Sequence, residues 1–248
     1  MKHENRFLFN PLIVMGFVLV LINSCKKGDE SSSGTKLRIL PGYNLSACID
    51  IYTGKSYVTP EMLMAAGGAP SLGIGYKWSP PSLSTFPMGT AVYNGVFKSN
   101  GGALVAGQHS FKIEVSDGPG GTTATATVTL SVATVSSAPS GGVPGVGCPW
   151  AVLQQYPSSS FALDDANASK SYGASLFAMG GTPPYSWSLD ISSGLSVLPS
   201  GLTIDPINGI VYGTPFPSSS GKTFKFSVIV KDSAGSTVSG PVYTITVK

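Results

Sequence analysis

Few residues in this chain of 248 can do chemistry, so each can be taken in turn. There are two histidines, His3 and His109, so no multi-histidine metal cluster can be assembled. A Ser-His-Asp relay would have to run through one of them. Gly54-Lys55-Ser56 and Gly221-Lys222-Thr223 imitate the end of a phosphate-binding loop. That motif needs a further glycine five residues earlier, where the chain has Ile49 and Phe216. Asp164, Asp165 and Asn167 offer oxygen ligands of the kind Ca²⁺ prefers, or a polar turn. Adjacent carboxylates on an extended chain point apart, which argues against a glycosidase pair. No catalytic residue is assigned, and the expectation is a protein that is not an enzyme.

Aromatic residues are the remaining contact candidates. Trp78 and Trp187 precede equivalent loops in two similar stretches and are expected in cores. Trp150 and Tyr156 lie where the first stretch has no counterpart. They either belong to the first strand of the second unit or form an exposed platform for a sugar or a protein partner.

The N-terminus looks like an address. Lys2 and Arg6 precede the apolar run Leu12 to Ile22, which is short for a bilayer span and suits a secretory leader. Ile22-Asn23-Ser24-Cys25 resembles the bacterial lipobox, which implies cleavage after residue 24 and acylation of Cys25. More than one acyl chain gives stable anchoring. Residues 25–35, rich in Ser, Gly and charge, read as a flexible tether. Lys26 after the cysteine resembles outer-membrane sorting. Asp29-Glu30 resembles the export tethers of Bacteroidetes-type surface lipoproteins.

Beyond residue 35 one pattern is written twice. Gly67-Gly68-Ala69-Pro70 matches Gly180-Gly181-Thr182-Pro183, and Tyr76-Lys77-Trp78-Ser79 matches Tyr185-Ser186-Trp187-Ser188. Asn94-Gly95-Val96 matches Asn208-Gly209-Ile210, and Phe111 to Asp117 matches Phe226 to Asp232. The order never changes and the offsets stay between 109 and 115 residues. This gives a first domain over 36–133, a Ser/Gly/Pro linker over 134–146 and a second domain over 147–248.

Apolar residues alternate at period two in Phe224 to Val230, Phe111 to Val115 and Ala124 to Val132. Asn-Gly pairs mark hairpins, and Gly (31) with Pro (19) makes about a fifth of the chain. Such punctuation predicts all-β sandwiches. Thr59 to Gly67 has the local pattern of a capped helix, but its partner Tyr172 to Ala178 has that of a strand, and the repeat takes precedence.

The second unit resembles the bacterial putative-Ig (cadherin-like) domain family. The likeness rests on Gly180 to Ser188, Leu198 to Asp205, Asn208 to Pro215 and Val230 to Ser236. The first unit looks like a degenerate copy: Lys98-Ser99-Asn100 replaces Gly-Thr-Pro, and Ser71 to Gly75 is inserted. The resemblance implies a seven-stranded Ig-like sandwich in a cell-surface protein, and no activity.

Cys48 and Cys148 are the other thiols, in a compartment that favours disulfides. First and last strands of a sandwich run the same way, so Cys48 and the start of the second domain reach one pole. A Cys48–Cys148 bridge is expected, two separately buried thiols being the alternative. Its loop of about 100 residues would contribute roughly 4–5 kcal/mol. Reduction is then expected to loosen the domain orientation.

The function expected is a non-catalytic cell-envelope lipoprotein with tandem Ig-like domains for binding, adhesion or spacing. It would be lipid-anchored, in the outer membrane and surface-exposed. The alternatives are a carbohydrate-binding accessory of an outer-membrane uptake system, using Trp150 and Tyr156, and a Ca²⁺-binding adhesion module. Partners would be the membrane through Cys25 and an envelope protein or glycan. A net charge of +3, with only 11% charged residues, gives no footprint for nucleic acid.

Overall fold

A computed structural model describes residues 35–40, 45–71, 73–137, 148, 153–155, 160–194 and 197–248. Cys25, Trp150 and Tyr156, with the leader and nearly all of the tether, lie outside the described residues. The first sandwich contains β1 (Arg38–Ile39), β2 (Ser46–Asp50), β3 (Ser56–Val58), β4 (Glu61–Met62) and β5 (Ala65–Ala66). It continues with β6 (Lys77–Ser79), β7 (Thr90–Tyr93), β8 (Val96–Ser99), β9 (Gly107–Ser116) and β10 (Thr123–Val135). The second contains β11 (Gln154–Gln155), β12 (Phe161–Ala162), β13 (Tyr172–Ser175), β14 (Ala178–Met179) and β15 (Ser186–Leu189). It ends with β16 (Leu202–Asp205), β17 (Ile210–Gly213), β18 (Thr223–Phe226), β19 (Val228–Lys231), β20 (Thr237–Ser239) and β21 (Tyr243–Thr246). The fold is all-β, two tandem Ig-like sandwiches.

The second strand of each sandwich runs parallel to its last. β2 pairs with the end of β10, and β12 with β21. β10 runs two residues into the stretch that composition marks as linker: Thr134 pairs with Ile49 and Val135 with Asp50. Both are β-branched, and β2 offers an edge to pair with, so tertiary context extends the strand. Thr35, assigned to the tether, accepts a hydrogen bond from the Gly68 amide and so belongs to the first sandwich.

The two sandwiches are joined by their own backbones. Thr59 to Ala66 is extended, not helical, and its second half, β5, pairs with β1 of its own domain on one side and with β13 of the other domain on the other. β14 does the same with β4, so the two sheets run β1-β5-β13-β17-β16 and β11-β14-β4-β8-β7. Residues repeat at an offset of 113 here, and the bonds obey it. Gly67 N–H donates to Gly173 O at 2.8 Å, and its counterpart Gly180 N–H donates to Pro60 O at 2.7 Å. A local pseudo-twofold axis therefore relates the domains at this junction.

Small residues make the approach feasible. Ala65, Ala66, Ala174 and Ala178 are at most 1% exposed. A Cβ on Gly173 would overlap the Pro70 ring and crowd the Tyr76 hydroxyl. Gly67 and Gly180 sit at φ +82° and +73°, the left-handed region where glycine carries no Cβ penalty. Apolar side chains also cross. Met62 and Val96 pack into the core of the second sandwich, and Ile210 joins a cluster with Leu37, Ala65, Tyr76 and Val115 of the first. Val96 and Ile210 are repeat equivalents, so the exchange is reciprocal.

Buried polar groups fix the loops. Tyr76 donates its hydroxyl to Gly67 O and Tyr185 donates to Gly180 O, at 2.8 and 2.6 Å. Asp117 and Asp232 cap the following loops by accepting the amides of Ala69 and Thr182. Burial alone would raise the Asp205 and Asp232 carboxyls, but the donors they cap outweigh it and both stay below the ordinary value. Burial raises the phenols of Tyr76, Tyr172, Tyr185 and Tyr243 above theirs.

Three outcomes test this packing, the first two read by urea titration. Gly173→Ala should cost about 1–3 kcal/mol through overpacking at the junction. Asp164→Asn, which removes a surface ion pair, should cost less than about 1 kcal/mol in the same urea titration. The melting temperature should hold between about pH 5 and 9 and fall on both sides. Below about pH 4 the unfolded chain takes up protons that the depressed carboxylates refuse. Above about pH 10 it releases phenolic protons that the buried tyrosines keep. Calorimetry across this range checks both limbs.

Candidate functional site

The side chains singled out in the sequence do not converge. Asp164 meets Arg38 across the domain junction at 2.6 Å, and Asp165 meets Lys248 at 2.6 Å. The candidate Ca²⁺ ligands thus turn to different cations of the chain, because extended neighbours project to opposite sides. Asn167 closes a turn through its carbonyl, which accepts from the Lys170 amide at 3.1 Å. Among the described residues no group of three His, Cys, Asp or Glu side chains is placed to hold a metal. His109 lies within β9 rather than in a turn before it, with Nε2 2.7 Å from Val105 O. It borders an open hollow with Phe86, Met88 and Phe111, and no carboxylate lines that hollow.

Cys48 and Cys148 form a disulfide with their Cα atoms 5.6 Å apart. Cys48 lies between Ala47 and Ile49, both of which pack on the core of the first sandwich, so its side chain takes the opposite face of β2. The bridge pins the start of the second domain beside β2. It is not the sole link between the sandwiches, because β5 with β13 and β4 with β14 also join them.

The feature that sequence reasoning missed lies at Trp78. Its repeat equivalent, Trp187, is 3% exposed beneath Gly209, where a Cβ would come within 2.6 Å of the indole nitrogen. Trp78 is only partly buried, and the same contact at Gly95 opens to 3.7 Å. A groove of about 480 Å³ lies beside it, with Ile74, Lys77, Val92, Asn94 and Asn208 among its walls. Both Asn-Gly hairpins, one from each domain, therefore border one hollow. Gly73 and Ile74 of the inserted stretch form the third side, and Gly73 N–H donates to Asp205 Oδ2 of the second domain at 3.1 Å. Among the described residues no carboxylate lines this groove. The available signal was the pair of departures from the repeat, an insertion at 71–75 and a shorter hairpin at Asn94.

Residues 151–248 match the family model described as Putative Ig domain. Comparison with curated proteins finds no match. Among solved structures, an endo-fucoidan hydrolase of glycoside hydrolase family 107 is 14% identical over 96% of this chain and 38% of its own, with a TM-score of 0.31. Mouse cadherin-23 repeats EC22–24 are 10% identical over 85% of this chain and 89% of theirs, with a TM-score of 0.29. The tandem Ig repeats of Dlar are 12% identical over 86% and 97%, with a TM-score of 0.25. The chain spans about two fifths of the length of the hydrolase chains it matches. At TM-scores below 0.5 these likenesses carry nothing about site or partner. The matched residues span β11 to β21, so the likeness to the Putative Ig domain family covers the second sandwich.

Proposed function

We propose that this protein is a non-catalytic binding module of the bacterial cell envelope, held by lipid on Cys25 and presenting its two sandwiches as a single rigid head. The observation that carries the reading is the reciprocal strand pairing of β5 with β13 and β4 with β14. Beads on a flexible linker need no such joint, whereas a head that must hold a surface in fixed geometry does. An enzymatic role finds little support. His109 contacts a backbone carbonyl, and Asp164 and Asp165 are each engaged by a cation of the chain. The leader and Ile22-Asn23-Ser24-Cys25 support export and anchoring, and the Lys26 to Gly34 stretch supports reach from the membrane to the head. Outer-membrane, outward-facing placement fits Lys26 and the Asp29-Glu30 pair. The partner is an envelope protein or glycan.

The anchor is tested by phase separation in a bacterial host. The wild-type chain should be processed and recovered in the detergent phase. Cys25→Ser should leave the precursor uncleaved and the detergent phase depleted at least tenfold. Equal processing and equal partition of the two would overturn lipid anchoring.

A further inference from the structure

The two copies of the repeat differ where the Asn-Gly hairpins meet the tryptophan strands. In the second sandwich β16 and β17 are joined by four residues, Pro206 to Gly209. In the first, β7 and β8 are joined by Asn94-Gly95 alone. The two extra residues matter because Pro206 O accepts the Trp187 N–H at 3.0 Å. Trp187 lies opposite Val230 in the antiparallel pair β15–β19, yet its N–H turns away from β19, so this is a non-hydrogen-bonded pair.

Trp78 lies opposite Val115 in β6–β9, with the equivalent register. It therefore also turns its backbone N–H and C=O outward from β9. The hairpin carbonyl that would meet the N–H is deleted, and the groove beside Trp78 takes its place. β6 is the outermost strand of its sheet, so this wall of the groove is an open strand edge.

We propose that the groove between β6 and Gly73-Ile74 binds an extended peptide segment of a partner protein, which adds to the edge of β6. The partner's backbone carbonyl takes the Trp78 N–H, as Pro206 O takes that of Trp187. Its next outward N–H meets Trp78 O, the pattern by which a strand lengthens an exposed edge. Side chains of the segment lie against Ile74, which is 42% exposed, and against the partly exposed Trp78 and Val92. Asn94 and Asn208 flank the strand with amides that suit a peptide backbone. A peptide fits better than a sugar chain. The spare groups are the paired donor and acceptor of a strand edge, and the second domain already seats a peptide carbonyl at the equivalent point. This deepens the binding-module reading and rests on it.

The experiment uses the full-length chain in detergent and a variant with Pro-Ile inserted between Tyr93 and Asn94, which restores the longer hairpin. A phage-displayed library of random 12-residue peptides is selected on the wild type, and the enriched peptides are titrated against both proteins. Cellohexaose serves as a sugar probe. Amide exchange at Trp78 and Trp187 is followed in parallel. Expected are a Trp78 amide that exchanges at least 100-fold faster than that of Trp187, and enriched peptides that protect it. Those peptides should bind the lengthened-hairpin variant at least tenfold more weakly, with melting temperatures confirming that both proteins are folded. If the insertion misfolds, peptide protection of the Trp78 amide in the wild type decides alone. No enriched peptide, enriched peptides that leave Trp78 unprotected or bind the folded variant equally, or cellohexaose protecting Trp78 in their place would overturn the proposal. The anchor does not enter this readout, so failure here leaves the phase-separation result standing, and the reverse.

Discussion

The structure depends on one constraint, the backbone of each domain completing a sheet of the other. Pairing two strands across a domain boundary forces the chains to within hydrogen-bond distance, and that requirement selects the residues around it. Ala65, Ala66, Ala174 and Ala178 are at most 1% exposed, so larger side chains there would overpack the layers above and below the paired strands. Gly67 and Gly180 turn the chain out of the pairing on both sides, and each donates to the carbonyl facing it. Met62 and Val96 enter one core while Ile210 enters the other cluster, as near-twofold symmetry requires. Inter-domain contacts within a chain are commonly small and polar, which leaves domains free to move. This one is made of ladder bonds and fully buried side chains.

Rigidity at the junction gives meaning to the asymmetry between the copies. The second sandwich closes over its tryptophan with Pro206 and Gly209. The first has lost two hairpin residues and gained the 71–75 loop, and the hollow that results is walled by both domains. Were the sandwiches free to swing, Asn94 and Asn208 would share no surface. The Cys48–Cys148 bridge acts in the same direction, tethering the start of the second domain to β2.

Much of this was legible in the residues. The alternation in Phe111 to Val115 and in Phe226 to Val230, with the Asn-Gly punctuation, identified strands and hairpins because their period is intrinsic to a half-buried sheet. The disulfide pair was legible because parallel first and last strands bring both cysteines to one pole. The junction was not legible. Pro60-Glu61-Met62-Leu63-Met64-Ala65-Ala66 has the local preferences of a helix, and its strand state is imposed by non-local partners, β1 and β8 in its own domain and β13 and β14 in the other. Thr134 and Val135 likewise hide in a linker-like composition until β2 is there to pair with them. The Trp78 groove arises from a deletion, and one sequence shows a deletion only when its two halves are laid over each other.

The most direct test of the account is whether residues 36–133 and 153–248 tumble as one body, measured by amide residual dipolar couplings in a weakly aligning medium. The account predicts that a single alignment tensor fits both sets, before and after reduction of Cys48–Cys148, because the strand pairing holds the orientation. Two tensors of different magnitude or direction in the oxidised protein would contradict it.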